Sequence, residues 1–227
     1  MDLFLRCSLV RQSNISAPTH VFKHGQRFME PRVYAASVLD ELGAPIDVVV
    51  KDYSRYQHTP HASLARFMVT HECNMLDCMH GLSPRVIGRT SYLLIMEQVK
   101  GRSLGSEESP EVMEALEHCV RHMHARNVVH NDLHASNIMV KDDGQIVVLD
   151  LASAMHWPHS TLLSPLRARD LANVAKIKRQ KSPQTLTATD RRRLKKPLWA
   201  RLVQHMWYRV YRSTRLHALH KPHKKAL

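Results

Sequence analysis

Apolar residues fall along this chain in two rhythms. Short β-branched or aliphatic runs, at Val33 to Leu39, Val48-Val49-Val50, Tyr92 to Met96, Ile138-Met139-Val140 and Ile146 to Leu149, read as strands, with a weaker strand at Thr19 to His24. Between them the spacing becomes helical. Leu64, Phe67, Met68, Met75 and Met79 form one stripe, opened by Ser63 as N-cap and closed by Gly81. Val112, Met113, Leu116, Cys119, Val120 and Met123 form a second, beginning at Ser109-Pro110. A third helix is expected from Pro165 to about Arg179, broken by Ser182-Pro183, with Thr187 or Thr189 capping the next. From 197 to 219, Trp199, Leu202, Val203, Met206, Trp207, Val210 and Tyr211 repeat with helical period on a strongly amphipathic segment.

Chemistry concentrates on residues 128–151. The two strands there flank Asp142-Asp143-Gly144, a turn sequence, so they pair as a hairpin. His130, Asp132 and Asn137 precede its first strand, and Asp150 directly follows its second. Two carboxylates and an amide are thereby brought to one place, a set suited to a general base and to oxygen ligands for Mg²⁺. A second pair lies upstream. Lys51 ends the Val48 to Val50 strand, and Glu72 falls inside the apolar stripe of the 64–79 helix, where its charge needs a partner.

His130-Asn131-Asp132-Leu133-His134-Ala135-Ser136-Asn137 resembles the catalytic loop H-x-D-x-x-x-x-N of the protein-kinase-like superfamily, and Leu149-Asp150-Leu151-Ala152 resembles its D-F-G segment. The resemblance implies an α+β, two-lobed protein-kinase-like fold with a compact, mainly helical C-lobe and no full activation segment. Its expected organisation is an irregular segment at 1–31, an N-lobe at 32–100, a C-lobe at 101–196 and a basic amphipathic helix and tail at 197–227. It implies ATP and Mg²⁺ as cofactors, Asp132 as catalytic base, Asn137 and Asp150 as metal ligands, Lys51 paired with Glu72 on the nucleotide phosphates, and Glu97 opening the hinge whose backbone meets adenine. Asp170 either braces the catalytic loop or is a surface acid.

The departures narrow the group. The chain has seven glycines and no G-x-G-x-x-G, so the phosphates would be covered by another first hairpin, residues 32–50, or poorly covered. His134 stands where Ser/Thr protein kinases carry Lys, and no A-P-E follows Asp150. In these respects the chain is similar to small atypical kinases, the RIO-type serine/threonine kinases and the bacterial lipopolysaccharide kinases. The acceptor would then be a protein Ser/Thr or a sugar hydroxyl of the lipopolysaccharide core.

Charge alters the picture at one end. Of the net +13, residues 176–227 carry 16 Lys or Arg against one acid, Asp190, so +15; the preceding residues carry 17 against 19, so −2. Such a tail suits an anionic membrane surface, with nucleic acid less favoured, or is a solvated helical face. A binding module or pseudokinase acting through that tail on membrane or RNA is the alternative reading. The four cysteines lack a C-x-x-C pattern and read as reduced packing residues; among 17 histidines, His118 and His122 share a helix face but read as surface or partly packed. The first residues hold too short an apolar stretch, broken by Arg6, for a secretion signal, and no apolar run spans a bilayer. A cytoplasmic location is expected, peripheral on the inner membrane face if the tail binds lipid.

Overall fold

The structure is a computed structural model of the full chain, and residues 15–39, 43–157 and 163–195 are described. It forms two compact units, residues 1–186 and 187–227. The first opens with a sheet built from β1 (His20–Lys23), β2 (Arg32–Leu39), β3 (Pro45–Asp52), β4 (Val86–Arg89) and β5 (Leu93–Glu97). All neighbours are antiparallel, in the order β1-β2-β3-β5-β4. Consecutive residues Tyr34, Ala35 and Ala36 are buried, as are Leu93 to Met96. A sheet covered on both faces selects continuous apolar runs over strict alternation. The sheet begins before residue 32, because β1 pairs with β2; the irregular segment expected at 1–31 therefore contains its edge strand.

One sheet face packs on a small cluster around Tyr34, Val38, Val48, Val50 and Ile95. The other meets α1 (Ala62–Cys78) and the main core. The sequence places Leu64 and Phe67 on the buried side of this helix, yet both are exposed, at 42% and 61%. Met75 and Met79 of the expected stripe are buried, and the packed face runs with them through Ala65, Val69, Glu72, Cys73 and Leu76. His61, not Ser63, occupies the N-cap, and its side chain makes no capping bond.

Beyond β5 the chain forms β6 (Arg102–Ser103), then α2 (Pro110–Ala125), capped by Ser109, whose side chain accepts from Val112 N–H. Met113, Leu116, Cys119, Val120 and Met123 are buried on α2, with Val112 partly so. β7 (Val128–Val129), β8 (Ile138–Val140), β9 (Ile146–Val148) and β10 (Met155–His156) follow, then α3 (Ser164–Lys181). β8 and β9 pair antiparallel as the expected hairpin, and β10 returns to pair with β7. A continuous core joins α1, α2, the hairpin and α3 through Leu76, Met79, Leu116, Met123, Ile138, Val148 and Ile177.

The second unit contains α4 (Ala188–Leu194). Of the two candidate caps Thr187 serves: its hydroxyl accepts from Asp190 N–H at 3.1 Å, and the Asp190 carboxylate accepts from Thr187 N–H at 3.2 Å. The amphipathic segment expected at 197–219 lies outside the described residues. Among the described residues no helix is long and apolar enough to cross a membrane.

Candidate active site

β3 carries Lys51 onto the sheet face that α1 covers, and α1 carries Glu72 to meet it. Lys51 Nζ lies 2.5 Å from Glu72 Oε1 and 2.6 Å from Asp150 Oδ1. Lys51 is 7% exposed and Glu72 1%, so this ammonium is held out of water by two carboxylates. Burial alone would pull the lysine's pKa down, but the Glu72 and Asp150 charges outweigh it and the net shift is upward. For Asp150, burial pushes the carboxyl up while Lys51 pulls it down through charge and hydrogen bonding, and the net shift is downward. Both groups are therefore ionised at neutral pH. Glu72 Oε2 is buried without a hydrogen-bond partner, so its whole compensation is the contact with Lys51.

Asp150 is reached through the hairpin. It sits in the left-handed region, φ 58° and ψ 72°, directly after β9 and Leu149. Leu149 N–H donates to the Asn137 carbonyl at 2.8 Å, tying the residue before Asp150 to the residue that opens β8. Asn137 Nδ2 donates to the Asp132 carbonyl at 3.3 Å and to His134 Nε2 at 3.0 Å. That fixes the amide orientation, since a carbonyl can only accept, and turns Asn137 Oδ1 into the free acceptor end. His134, thus an acceptor at Nε2, donates from Nδ1 to Ser136 Oγ at 2.7 Å. The Asp132 side chain is 63% exposed, with Oδ2 3.9 Å from His134 Nε2.

The loop carrying Asp132 is braced from beneath. His130 is fully buried; its Nε2 donates to Leu149 O at 3.0 Å and its Nδ1 accepts from Asp132 N–H at 3.3 Å, which sets a single tautomer. Asp170, on α3 and fully buried, accepts from His130 N–H at 2.8 Å, from Asn131 N–H at 3.0 Å and from His124 Nε2 at 3.1 Å. Asn131 has φ 65°, a conformation these bonds hold in place. Asp170 is thus the brace and not a surface acid. His124, on α2, is 7% exposed and belongs to this brace. The sequence left the role of Asp170 open and no local pattern marked that of His124, because the partners lie 40 and 46 positions apart.

Glu97 turns its carboxylate outward, 3.6 Å from Arg85 Nε, and its N–H donates to Arg85 O at 2.9 Å. His118 and His122 do share a face of α2, ring centroids 6.2 Å apart, and border a cavity of about 590 Å³ with His80, Glu114 and Arg126. Among the described residues no three His, Cys, Asp or Glu side chains are grouped to hold a metal. The donors at Asp150 and Asn137 are hard oxygens, two in number, a set that fits Mg²⁺ shared with phosphate oxygens.

The RIO domain matches this chain over residues 46–191. Two curated relatives are similar over shorter stretches. A probable SapB synthase of Streptomyces coelicolor is 30% identical over 43% of this chain and 14% of its own length. A probable bifunctional tRNA threonylcarbamoyladenosine biosynthesis protein of Methanoculleus marisnigri is 33% identical over 32% of this chain and 14% of its own. The chain thus spans a small part of either relative. It belongs to the RIO domain family, a family of atypical kinases and ATPases within the protein-kinase-like superfamily.

Proposed function

We propose that this member of the RIO domain family is an ATP- and Mg²⁺-dependent phosphotransferase that delivers the γ-phosphate to an alcohol, foremost a serine or threonine of a protein. The observation that carries this is the Lys51 ammonium between Glu72 and Asp150. An ammonium so held presents a fixed positive charge to nucleotide phosphates, while Asp150 and Asn137 Oδ1 are the groups that would hold the metal. Magnesium, when bound, neutralises charge on the phosphate oxygens. Glu72 orients Lys51. Asp132, exposed and set beside Asn137, orients the acceptor hydroxyl and takes its proton. The sheet with α1 then serves as the nucleotide-binding lobe and the α2, hairpin and α3 region as the second lobe, with the Glu97 main chain at the adenine edge. A cytoplasmic location, where ATP is available, belongs to this reading.

Two features favour a protein acceptor over a lipopolysaccharide sugar: membership of a family of atypical protein kinases and ATPases, and the side-chain exposure of Asp132, which leaves room for a bulky partner. The test is transfer of label from γ-labelled ATP, with and without Mg²⁺, to a protein extract and to a lipopolysaccharide fraction in parallel. Wild-type protein should label the protein extract, and Asp132→Asn and Asp150→Ala should not. Equal labelling by wild type and Asp150→Ala would overturn the reading, and label confined to the lipopolysaccharide fraction would overturn the choice of acceptor.

A further inference from the structure

The register of the sheet shows which hairpin lies over the phosphate site. β2 pairs with β3 from Arg32↔Asp52 to Leu39↔Pro45, with Val33 opposite Lys51. The turn that joins these strands is therefore six residue pairs from Lys51, roughly 20 Å at the usual rise per residue. It cannot cover phosphates held by Lys51, so the expected cover from residues 32–50 is excluded. The β1–β2 connection, His24 to Pro31, opens at the Lys51 end instead. It holds one glycine. Gly25 is buried at φ +66°, and a Cβ there would meet Glu30 O at 2.8 Å, so this glycine serves the packing of the turn. A cover made of glycine amides is absent.

A cation stands in that place. Val21 pairs with Tyr34 and Lys23 with Val33, so β1 bulges between them and Phe22 is the extra residue, 51% exposed. Simple alternation from Val21, which packs with Tyr34 on the outer cluster, would turn Lys23 outward. The bulge re-aims it. Lys23, Val33, Lys51 and Leu94 then form one row of paired residues across four strands, on the face that carries the site. Lys23 stands two strand spacings from Lys51, about 10 Å between Cα atoms. The Lys23 side chain is 54% exposed and among the described residues its ion pair is a loose contact with Glu30 at 3.5 Å. Its charge is also felt at Asp150, where it helps keep the carboxylate ionised.

We propose that Lys23, aimed by the β1 bulge, is a phosphate-binding residue that replaces the missing glycine loop, so that a nucleoside di- or triphosphate is held between the Lys23 and Lys51 ammonium groups. This rests on the phosphotransferase reading above. A lysine is suited to the role, being a compact charge on a flexible stem that follows phosphates of differing position. Glu30 holds Lys23 until nucleotide arrives, and its other oxygen accepts from Arg27 N–H at 3.0 Å, which keeps the turn folded.

The test is equilibrium binding of adenosine, AMP, ADP and ATP, without Mg²⁺, to wild type, Lys23→Gln, Lys23→Arg and Glu30→Gln, each checked for folding by thermal melting. Lys23→Gln should weaken ATP and ADP about tenfold, the low end for a charge-assisted hydrogen bond at a half-exposed site, and leave adenosine within about twofold. Lys23→Arg should keep most ATP affinity, and Glu30→Gln should bind ATP as tightly as wild type or tighter. Unchanged ATP affinity in Lys23→Gln, equal weakening of all four ligands, or equal loss in Glu30→Gln overturns the proposal; the last two would mean that the Lys23–Glu30 pair only holds the turn. Wild type that binds ATP no better than adenosine would instead overturn the phosphotransferase reading, and this inference with it.

Discussion

Asp170→Ala tests the bracing of the catalytic loop most directly. The carboxylate is fully buried and accepts three hydrogen bonds, from two main-chain N–H groups and the His124 ring. Truncation leaves all three donors without their acceptor, His130 N–H and the His124 ring buried and Asn131 N–H partly so. At about 1–3 kcal/mol for each buried group left unsatisfied, the sum over three groups is roughly 3–9 kcal/mol, a large part of the 5–15 kcal/mol that holds a domain together. The substitution also releases Asn131 from φ 65°, so the segment between His130 and Asp132 is free to relax. Urea unfolding followed by circular dichroism should therefore show a midpoint shifted far down. In whatever fraction stays folded, kcat should fall more than ATP affinity, because the Lys51 cluster makes none of these bonds. Asp170→Asn, which keeps one oxygen but turns an NH₂ toward a donor, should fall between. An Asp170→Ala protein within about 1 kcal/mol of wild type would overturn the bracing role, since two buried donors and a third partly buried one cannot be orphaned that cheaply.

Further outcomes follow from the same structure. Lys51→Met strands Glu72 as a buried, unpaired carboxylate and should cost about 3–5 kcal/mol; adding Glu72→Gln should restore most of that stability in urea titrations while ATP binding stays absent in both proteins. The pH dependence of the Lys51–Asp150 pair has a definite sign. Asp150 is held below its ordinary 3.8, so its contribution is present above that value and is lost as pH falls through the lowered one. Lys51 is held above its ordinary 10.5, so its contribution is complete below that value and is lost as pH rises through the raised one. The stability gap between wild type and Asp150→Asn should thus be flat from about pH 5 to 9 and shrink below about pH 4; a gap that peaked inside that range would contradict the ion pair. Gly101→Ala should lower stability by about 2 kcal/mol or more in thermal melts, since Gly101 has φ +153° and a Cβ would stand 2.5 Å from Val140 O with no flexible side chain to yield.

The order of residues alone made the candidate site's residue set and its local frames legible. The order His130, Asp132, Asn137, turn, Asp150 is a short-range pattern, and a hairpin of β-branched runs around Asp-Asp-Gly places both of its ends together whatever surrounds it. The Lys51–Glu72 contact was legible because a carboxylate on a helix's buried face demands a cation and the resemblance to the kinase pattern pointed to Lys51, although the stripe itself was misjudged at Leu64 and Phe67: helical period gives a face, but the elements that meet the helix decide which of its positions are covered. What only the tertiary structure decided rests on long-range register. Asp170 and His124 become braces through bonds spanning about 40 positions. A one-residue bulge in β1, unreadable from four residues of edge strand, decides that Lys23 shares a sheet face with Lys51. Side-chain direction in a strand has period two, so a single inserted residue reverses every inference drawn from alternation, and only the pairing partners reveal that the insertion is there.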